Sequence, residues 1–325
     1  MSNYLVTGTA GFIGSRVAEL LIEQGHLVIG VDNLNDAYDI RLKQYRLNRL
    51  TRCAGFSFLR LDISDRQALI DQLVLHGPFD AIINLAARAG VRQSVEIPWV
   101  YVDTNMNGTL NLLEFCRHHG VPKFVLASTS SLYGANPPLP TPETAESDHP
   151  LQPYAASKKG AEAMAYSYHH LFGIDVTVFR YFTVYGPAGR PDMVMFRFCQ
   201  WIAEGRPVRI TGDGTQSRGF TYLDDIARGT ILGLKPLGYE LINLGGHETI
   251  TINDMVGVLE EKLGRKAQVE YIARNPADVM ENWASVEKAR RLLGWQPQVG
   301  LAEGMGRLVD WYLAERAWAC QIPTP

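Results

Sequence analysis

Along residues 1–180, short continuous apolar runs alternate with longer stretches whose apolar residues recur every three or four positions. The short runs are NYLVTG (3–8), HLVIGVDN (26–33), FSFLRLDI (56–63), DAIINLAA (80–87), KFVLAS (123–128) and DVTVFRYF (175–182). Their length and their β-branched and aromatic content predict strands. Between the first two, SRVAELLIEQG (15–25) sets Val17, Leu20 and Leu21 at helical spacing, with Gly25 at the stop. Apolar strands alternating with helices predict an α/β fold, a doubly wound parallel sheet covered on both faces. ELINLGG (240–246) predicts a late strand of the same sheet. After about residue 183 the rhythm breaks into GPAGRP and GDGTQSRG, mixed with helices such as TINDMVGVLEEKLG (251–264). The expected organisation is a cofactor-binding domain over 1–180, to which segments near 220–248 return. A smaller α+β substrate-binding lobe takes most of 181–325.

Composition changes this picture little. At 325 residues, 46% hydrophobic and 20% charged, the chain is long enough for a large core or two lobes. A net charge of −3 leaves no electrostatic footprint for nucleic acid. No run reaches the roughly 18 apolar residues of a membrane span, and the chain enters a strand by Tyr4 without a leader-like segment, so a cytoplasmic protein is expected. Cys53, Cys116, Cys199 and Cys320 are far apart and form no CxxC pair, which predicts thiols rather than disulfides or metal ligands. The pairs His118–His119 and His169–His170 fall near helix ends, where the helix dipole accounts for them, so no metal is expected.

The chemistry starts at LVTGTAGFIG. Gly8, Gly11 and Gly14 separate a strand from a helix in a G-x-x-G-x-x-G spacing. Small residues there let a backbone turn and a helix N-terminus approach a pyrophosphate, which makes the sheet Rossmann-type. Phe12 and Ile13 lie inside the turn. Asp32 ends the second strand, placed to accept from a ribose 2′-OH and to repel a 2′-phosphate, which favours NAD over NADP. Asn33 follows it. Asp62 and Ile63 suit an adenine amino group, and Leu85, Ala86 and Ala87 give small residues for the cofactor to lie on.

In PYAASKKG, Tyr154 and Lys158 sit at i and i+4, on one helix face. A nearby ammonium favours the phenolate and yields a general base near neutral pH. The strand ending in Ser128 and Thr129 supplies a third member to relay the proton. Tyr181, at the end of the sixth strand, completes the cofactor-side set.

Taken in order, TGTAGFIG, Asp32, LAA, ASTSSLYG, YAASK and RYFTVYGP resemble the extended short-chain dehydrogenase/reductase family of nucleotide-sugar epimerases and dehydratases, over essentially the whole chain. DNLNDAYD, AARAGVRQS, NGTLNLLEFCR and FTVYGPAGRPDM resemble its UDP-glucuronate 4-epimerase branch. The resemblance implies Thr129, Tyr154 and Lys158 as the catalytic set, with Ser128 close by. It implies tightly held NAD and a 4-keto sugar intermediate. Dehydratases and decarboxylases of the family carry an acid just after the Thr, where this chain has Ser130 and Ser131. With Thr183, those hydroxyls are expected to grip a uronate carboxylate. Arg218 matches the family's pyrophosphate arginine; Arg190, Arg88 and Asp278 are further substrate candidates, with Arg92 beside Arg88. Gly219, Asn275, Ala277 and the run ASVEKA depart from the family pattern in the substrate lobe. The expected reaction interconverts UDP-glucuronate and UDP-galacturonate; alternatives are a UDP-glucose/UDP-galactose 4-epimerase and an oxidoreductase with dissociable NAD(P). The resemblance further implies a homodimer through a four-helix bundle, built from 104–119 (Leu110, Leu113, Phe115) and 155–172 (Met164, Tyr168, Leu171).

Overall fold

The structure, a computed structural model, describes residues 1–273 and 280–325, and the counts below are of these. Seven strands form one all-parallel sheet: β1 (Asn3–Thr7), β2 (Leu27–Asp32), β3 (Phe56–Arg60), β4 (Ala81–Asn84), β5 (Lys123–Thr129), β6 (Asp175–Tyr181) and, after three strands outside this sheet, β10 (Tyr239–Leu244). Their spatial order is β10-β6-β5-β4-β1-β2-β3. The order reverses between β1 and β4, so a crevice opens at the carboxyl ends of those strands.

Alternation along each strand explains the two covered faces. Leu5, Ile82, Phe124 and Val176 point into one apolar cluster; Val6, Ile83, Val125 and Phe179 point into the other. Helices α1 (Phe12–Glu23) and α9 (Leu223–Leu232) cover the second cluster with Val17, Leu21 and Ile226. The first is covered by α3 (Arg66–Leu73), α6 (Gly108–His119) and α7 (Pro153–Phe172). Helix α1 begins at Phe12, not near 15, because the glycine turn feeds it directly, and it stops as expected where Gly25 adopts φ 83°. The predicted helix over 104–119 divides into a π-helical turn, Val102–Asn107, followed by α6.

The remaining strands are β7 (Thr183–Tyr185), β8 (Val208–Thr211), β9 (Ser217–Tyr222), β11 (Glu248–Thr251), β12 (Val269–Ile272) and β13 (Glu281–Asn282). β9 lies between β11 and β13 and also pairs β7, while β12 pairs β8. With α8 (Val194–Glu204), α10 (Ile252–Leu263) and α12 (Leu301–Ala314) they enclose a third cluster around Phe198, Met255, Leu259 and Met305. Helix α2 (Ile40–Leu50), although it follows β2 in the chain, contributes Leu42 to this third cluster.

Of the stripe expected to pair two subunits, Leu113, Phe115 and Tyr168 are core residues under α6 and α7. Leu110 and Met164 are partly buried against the same core, and only Leu171, 66% exposed, faces outward. A helix in a covered α/β layer uses its apolar stripe on the sheet first. Among the described residues, no helix is long and apolar enough to cross a membrane.

Candidate active site

A cleft of about 1030 Å³ runs across the carboxyl edge of the sheet and continues under the 183–193 segment. All the cofactor-side residues named from the sequence line it, as do Thr129, Ser130, Ser131, Thr183 and Arg190.

At the dinucleotide end, the turn after β1 is too tight for side chains. Gly8 has φ 73°, and a Cβ on Gly14 would lie 2.1 Å from the Gly8 carbonyl oxygen. Helix α1 has no side chain capping its N-terminus, so its first N–H groups stay available to an anion. Asp32 is held by two backbone donors: Ala10 N–H to Oδ2 (3.1 Å) and Leu34 N–H to Oδ1 (2.8 Å). Burial alone would raise the Asp62 carboxyl, but hydrogen bonds from Ser64 and Asn33 outweigh it and hold the group below its ordinary value. A close-approach turn, an open helix N-terminus and a fixed carboxylate at the second strand end fit NAD.

At the other end, β5 delivers Ser128 and Thr129 opposite α7, which presents Tyr154, Lys158 and Glu162 at four-residue spacing. The four hydroxyls divide. Ser128 Oγ donates to Glu162 Oε1 (2.5 Å), and Glu162 is locked by Arg180 Nε (2.9 Å) and Nη2 (2.7 Å), all of it buried. With its proton committed, Ser128 offers only an acceptor to the cleft. Thr129 Oγ1 accepts from Ser131 N–H and donates to Ser131 Oγ, both at 3.2 Å. Ser130 and Ser131 form a 3-10 turn (Ser130–Tyr133) and are partly exposed to the cleft.

The ammonium was expected to push the Tyr154 hydroxyl down. In the structure burial dominates and raises it, against smaller lowering effects from the Thr129 hydrogen bond and the Arg190 charge. Lys158 is itself destabilised as a cation: burial lowers it to about 8, with Glu162 opposing, and its Nζ donates to the Ala127 carbonyl (2.9 Å). Arg190 is oriented by Asp192, which accepts from Nε (3.0 Å) and Nη2 (2.6 Å).

Two substrate candidates are committed to partners within the protein. Arg88 is buried, gives Nη2 to Gln93 Oε1 (3.2 Å), and is not among the residues lining the cleft. Arg218 turns its Nη1 to the carbonyls of Ser217 (2.7 Å) and Met280 (2.9 Å) and does not line it either. Asp278, Asn275 and Ala277 lie outside the described residues. Residues the sequence reading passed over do line the cleft: Asn35, Tyr38, Lys43, Met193 and Arg197. Lys43 donates to Asn35 Oδ1 (2.9 Å) and lies 3.7 Å from Asp32 Oδ1. The run DNLNDAYD was the available signal for Asn35 and Tyr38.

Comparison with known proteins agrees with the geometry. The chain is 57% identical over 312 residues to the UDP-glucuronate 4-epimerase of Thermodesulfobacterium geofontis, covering 96% of each. Its fold superposes on the UDP-glucuronic acid 4-epimerase of Bacillus cereus, solved with UDP-glucuronic acid and NAD, with TM-score 0.87 and 36% identity over 96% of this chain and 99% of that one. It also superposes on the UDP-glucose 4-epimerase of Thermotoga maritima, solved with UDP-glucose, with TM-score 0.89 and 35% identity over 97% and 99%. Residues 4–245, from β1 through β10, match as one unit, and the chain belongs to the NAD dependent epimerase/dehydratase family.

Proposed function

We propose that the protein is an NAD-dependent UDP-sugar 4-epimerase acting on UDP-glucuronate and UDP-galacturonate, with Thr129, Tyr154 and Lys158 as its catalytic residues. NAD, when bound, supplies the acceptor and later the donor of the C4 hydride. The Tyr154 phenolate takes the proton of the sugar 4-hydroxyl, with Thr129 bridging, and returns it to the 4-oxygen once the sugar has turned its other face. Lys158 holds a positive charge beneath the phenolate. Nothing is oxidised or reduced overall, so the cofactor has no reason to leave.

The observation that carries the substrate choice is the pair Ser130 and Ser131 beside Thr129 in the cleft. A 4-keto uronate is a β-keto acid and loses CO₂ readily. Neutral hydroxyls from Ser130, Ser131 and Thr183 grip its carboxylate while adding no acid to the site. The relatives named for UDP-glucuronate support the same choice. Incubating the purified protein without added NAD, and following the sugar 4-position by NMR, is expected to show turnover of UDP-glucuronate and little of UDP-glucose. Ser130→Ala with Ser131→Ala is expected to raise KM for the uronate by roughly tenfold or more, the loss of one or two charge-assisted hydrogen bonds. Turnover of the hexose alone overturns the uronate reading and leaves a UDP-hexose 4-epimerase.

We further infer a cytoplasmic homodimer paired through the outer faces of the 102–119 segment and α7, where Val102 (36%), Leu171 (66%) and Phe172 (40%) are exposed. Sedimentation at micromolar concentration is expected to give twice the chain mass; a monomer there would sink the pairing.

A further inference from the structure

Helix α2 belongs to two lobes at once. It follows β2 and the Asp32 carboxylate in the chain, yet its side chains pack on the other lobe: Leu42 in the third cluster, Tyr45 against Trp318 (ring centroids 5.4 Å apart) and Trp311 (6.0 Å). Trp311 Nε1 donates to Tyr45 Oη (3.1 Å), and Arg41 donates to the Gln321 side chain and carbonyl. At the centre of this contact is Arg46, 4% exposed. Its Nη1 donates to the Ala10 carbonyl (3.0 Å), inside the turn that fits the pyrophosphate, and to Tyr38 Oη (2.8 Å). Its Nε and Nη2 donate to the Ala188 carbonyl (3.1 and 2.6 Å). Ala188 has φ 53°, a left-handed conformation that an L side chain adopts at a cost. Two residues later the same loop carries Arg190 into the cleft.

We propose that Arg46 is a positioning residue that ties the pyrophosphate turn to the Arg190 loop, so that the sugar-side lobe slows release of the dinucleotide and bound nucleotide slows it further. The connection is continuous: the Asp32 carboxylate holds Ala10 N–H, the Ala10 carbonyl holds Arg46, and Arg46 holds Ala188. Among the described residues no carboxylate pairs with Arg46, so a buried cation rests on neutral oxygens and on the faces of the Phe12 and Tyr38 rings. Such a charge is costly, and an anion on the adjacent turn lowers the cost. Linkage makes the effect mutual: what steadies the Arg190 loop also steadies the turn. Buried arginines that bond carbonyls most often serve packing, so the test needs a readout that packing does not move.

This inference rests on the proposed NAD site, and the measurement separates the two. Protein loaded with NAD is diluted into charcoal, and release is timed with and without saturating UDP; circular dichroism reports the folded fraction. The wild-type protein is expected to release NAD slowly, and more slowly with UDP. Arg46→Met is expected to release it on the order of tenfold faster, with the UDP effect gone, as expected for lost hydrogen bonds to a charged group. Leu259→Ala, a cavity in the third cluster away from the cleft, is expected to lower Tm without speeding release. If Arg46→Met does not fold, Arg46→Lys decides, because a single ammonium cannot span both loops as a planar fork does, and its UDP effect is expected to shrink. Any of three results overturns the proposal: wild-type release that UDP leaves unchanged, a folded Arg46 variant with wild-type release and UDP effect, or release from Leu259→Ala as fast as from the Arg46 variant. A chain that holds no NAD at all overturns the proposed function instead.

Discussion

Tyr154→Phe is expected to lower kcat by about 10²–10⁴-fold, the usual worth of a general base, while NAD stays bound. The phenol is where α7 meets the end of β5, beside Thr129 and within the field of Arg190. Phenylalanine keeps the ring and removes only the group that moves the proton. Reduced nicotinamide absorbance after mixing with UDP-glucuronate checks the step, since no 4-keto sugar forms without deprotonation. A kcat within tenfold of wild type means that another group is the base. The pH dependence follows from the same residues. Burial raises Tyr154, so the reactive phenolate grows as pH rises; Lys158 loses its charge through about 8. The rate is therefore expected to rise toward pH 8 and to level off above it, where each gain in phenolate is offset by an equal loss of ammonium.

Lys158→Met is expected to abolish turnover and yet to stabilise the folded protein at pH 7. Lysine titrates near 10.4 in an unfolded chain, and burial lowers Lys158 to about 8 in the folded one. Below pH 8 the group is charged in both states, and the folded state bears the whole penalty of a buried ammonium, roughly 3 kcal/mol. Between 8 and about 10.4 the unfolded chain binds the extra proton, so wild-type stability rises with pH and the penalty fades. Methionine never carries it. Its gain is reduced by about 1 kcal/mol because the Ala127 carbonyl loses its donor. Thermal melts of both proteins from pH 7 to 10.5 check this: the variant's higher Tm at pH 7 is expected to shrink and vanish with rising pH. A variant that melts lower at every pH means that the lysine is well paired and the burial argument fails.

The parts of the molecule that were legible in sequence are those governed by local pattern. Continuous apolar strands announced a sheet covered on both faces, and Leu5 and Val6 do point into opposite clusters. The glycine turn and the i, i+4 pair were legible for the same reason, since three or four residues suffice to define them. The residues whose direction was not legible are long charged side chains, Arg88 on a loop and Arg218 on β9. Both could reach in several directions, and hydrogen bonds fixed them: Arg88 on Gln93, and Arg218 on the carbonyls of Ser217 and Met280. Lys43 and Arg46 were passed over because no local motif marks them; Lys43 meets the site through Asn35 and Asp32, and Arg46 through Ala188, more than a hundred positions away. The four hydroxyls after KFVLA were half legible: Thr129, Ser130 and Ser131 face the cleft with Ser128, but Ser128 is claimed by Glu162 from a helix 34 residues on.

The position of β10 also bears on how the chain is made. It pairs β6 along Tyr239–Leu244, so the outer edge of β6 is covered only by residues translated about 60 positions later. A ribosome that has released six strands and the whole turn for the cofactor still holds a sheet with an open, apolar margin around Val176 and Val178. Open margins of that kind recruit other strands. The nascent chain is thus most exposed to aggregation midway through synthesis, and it becomes safe only when the second lobe is already half out.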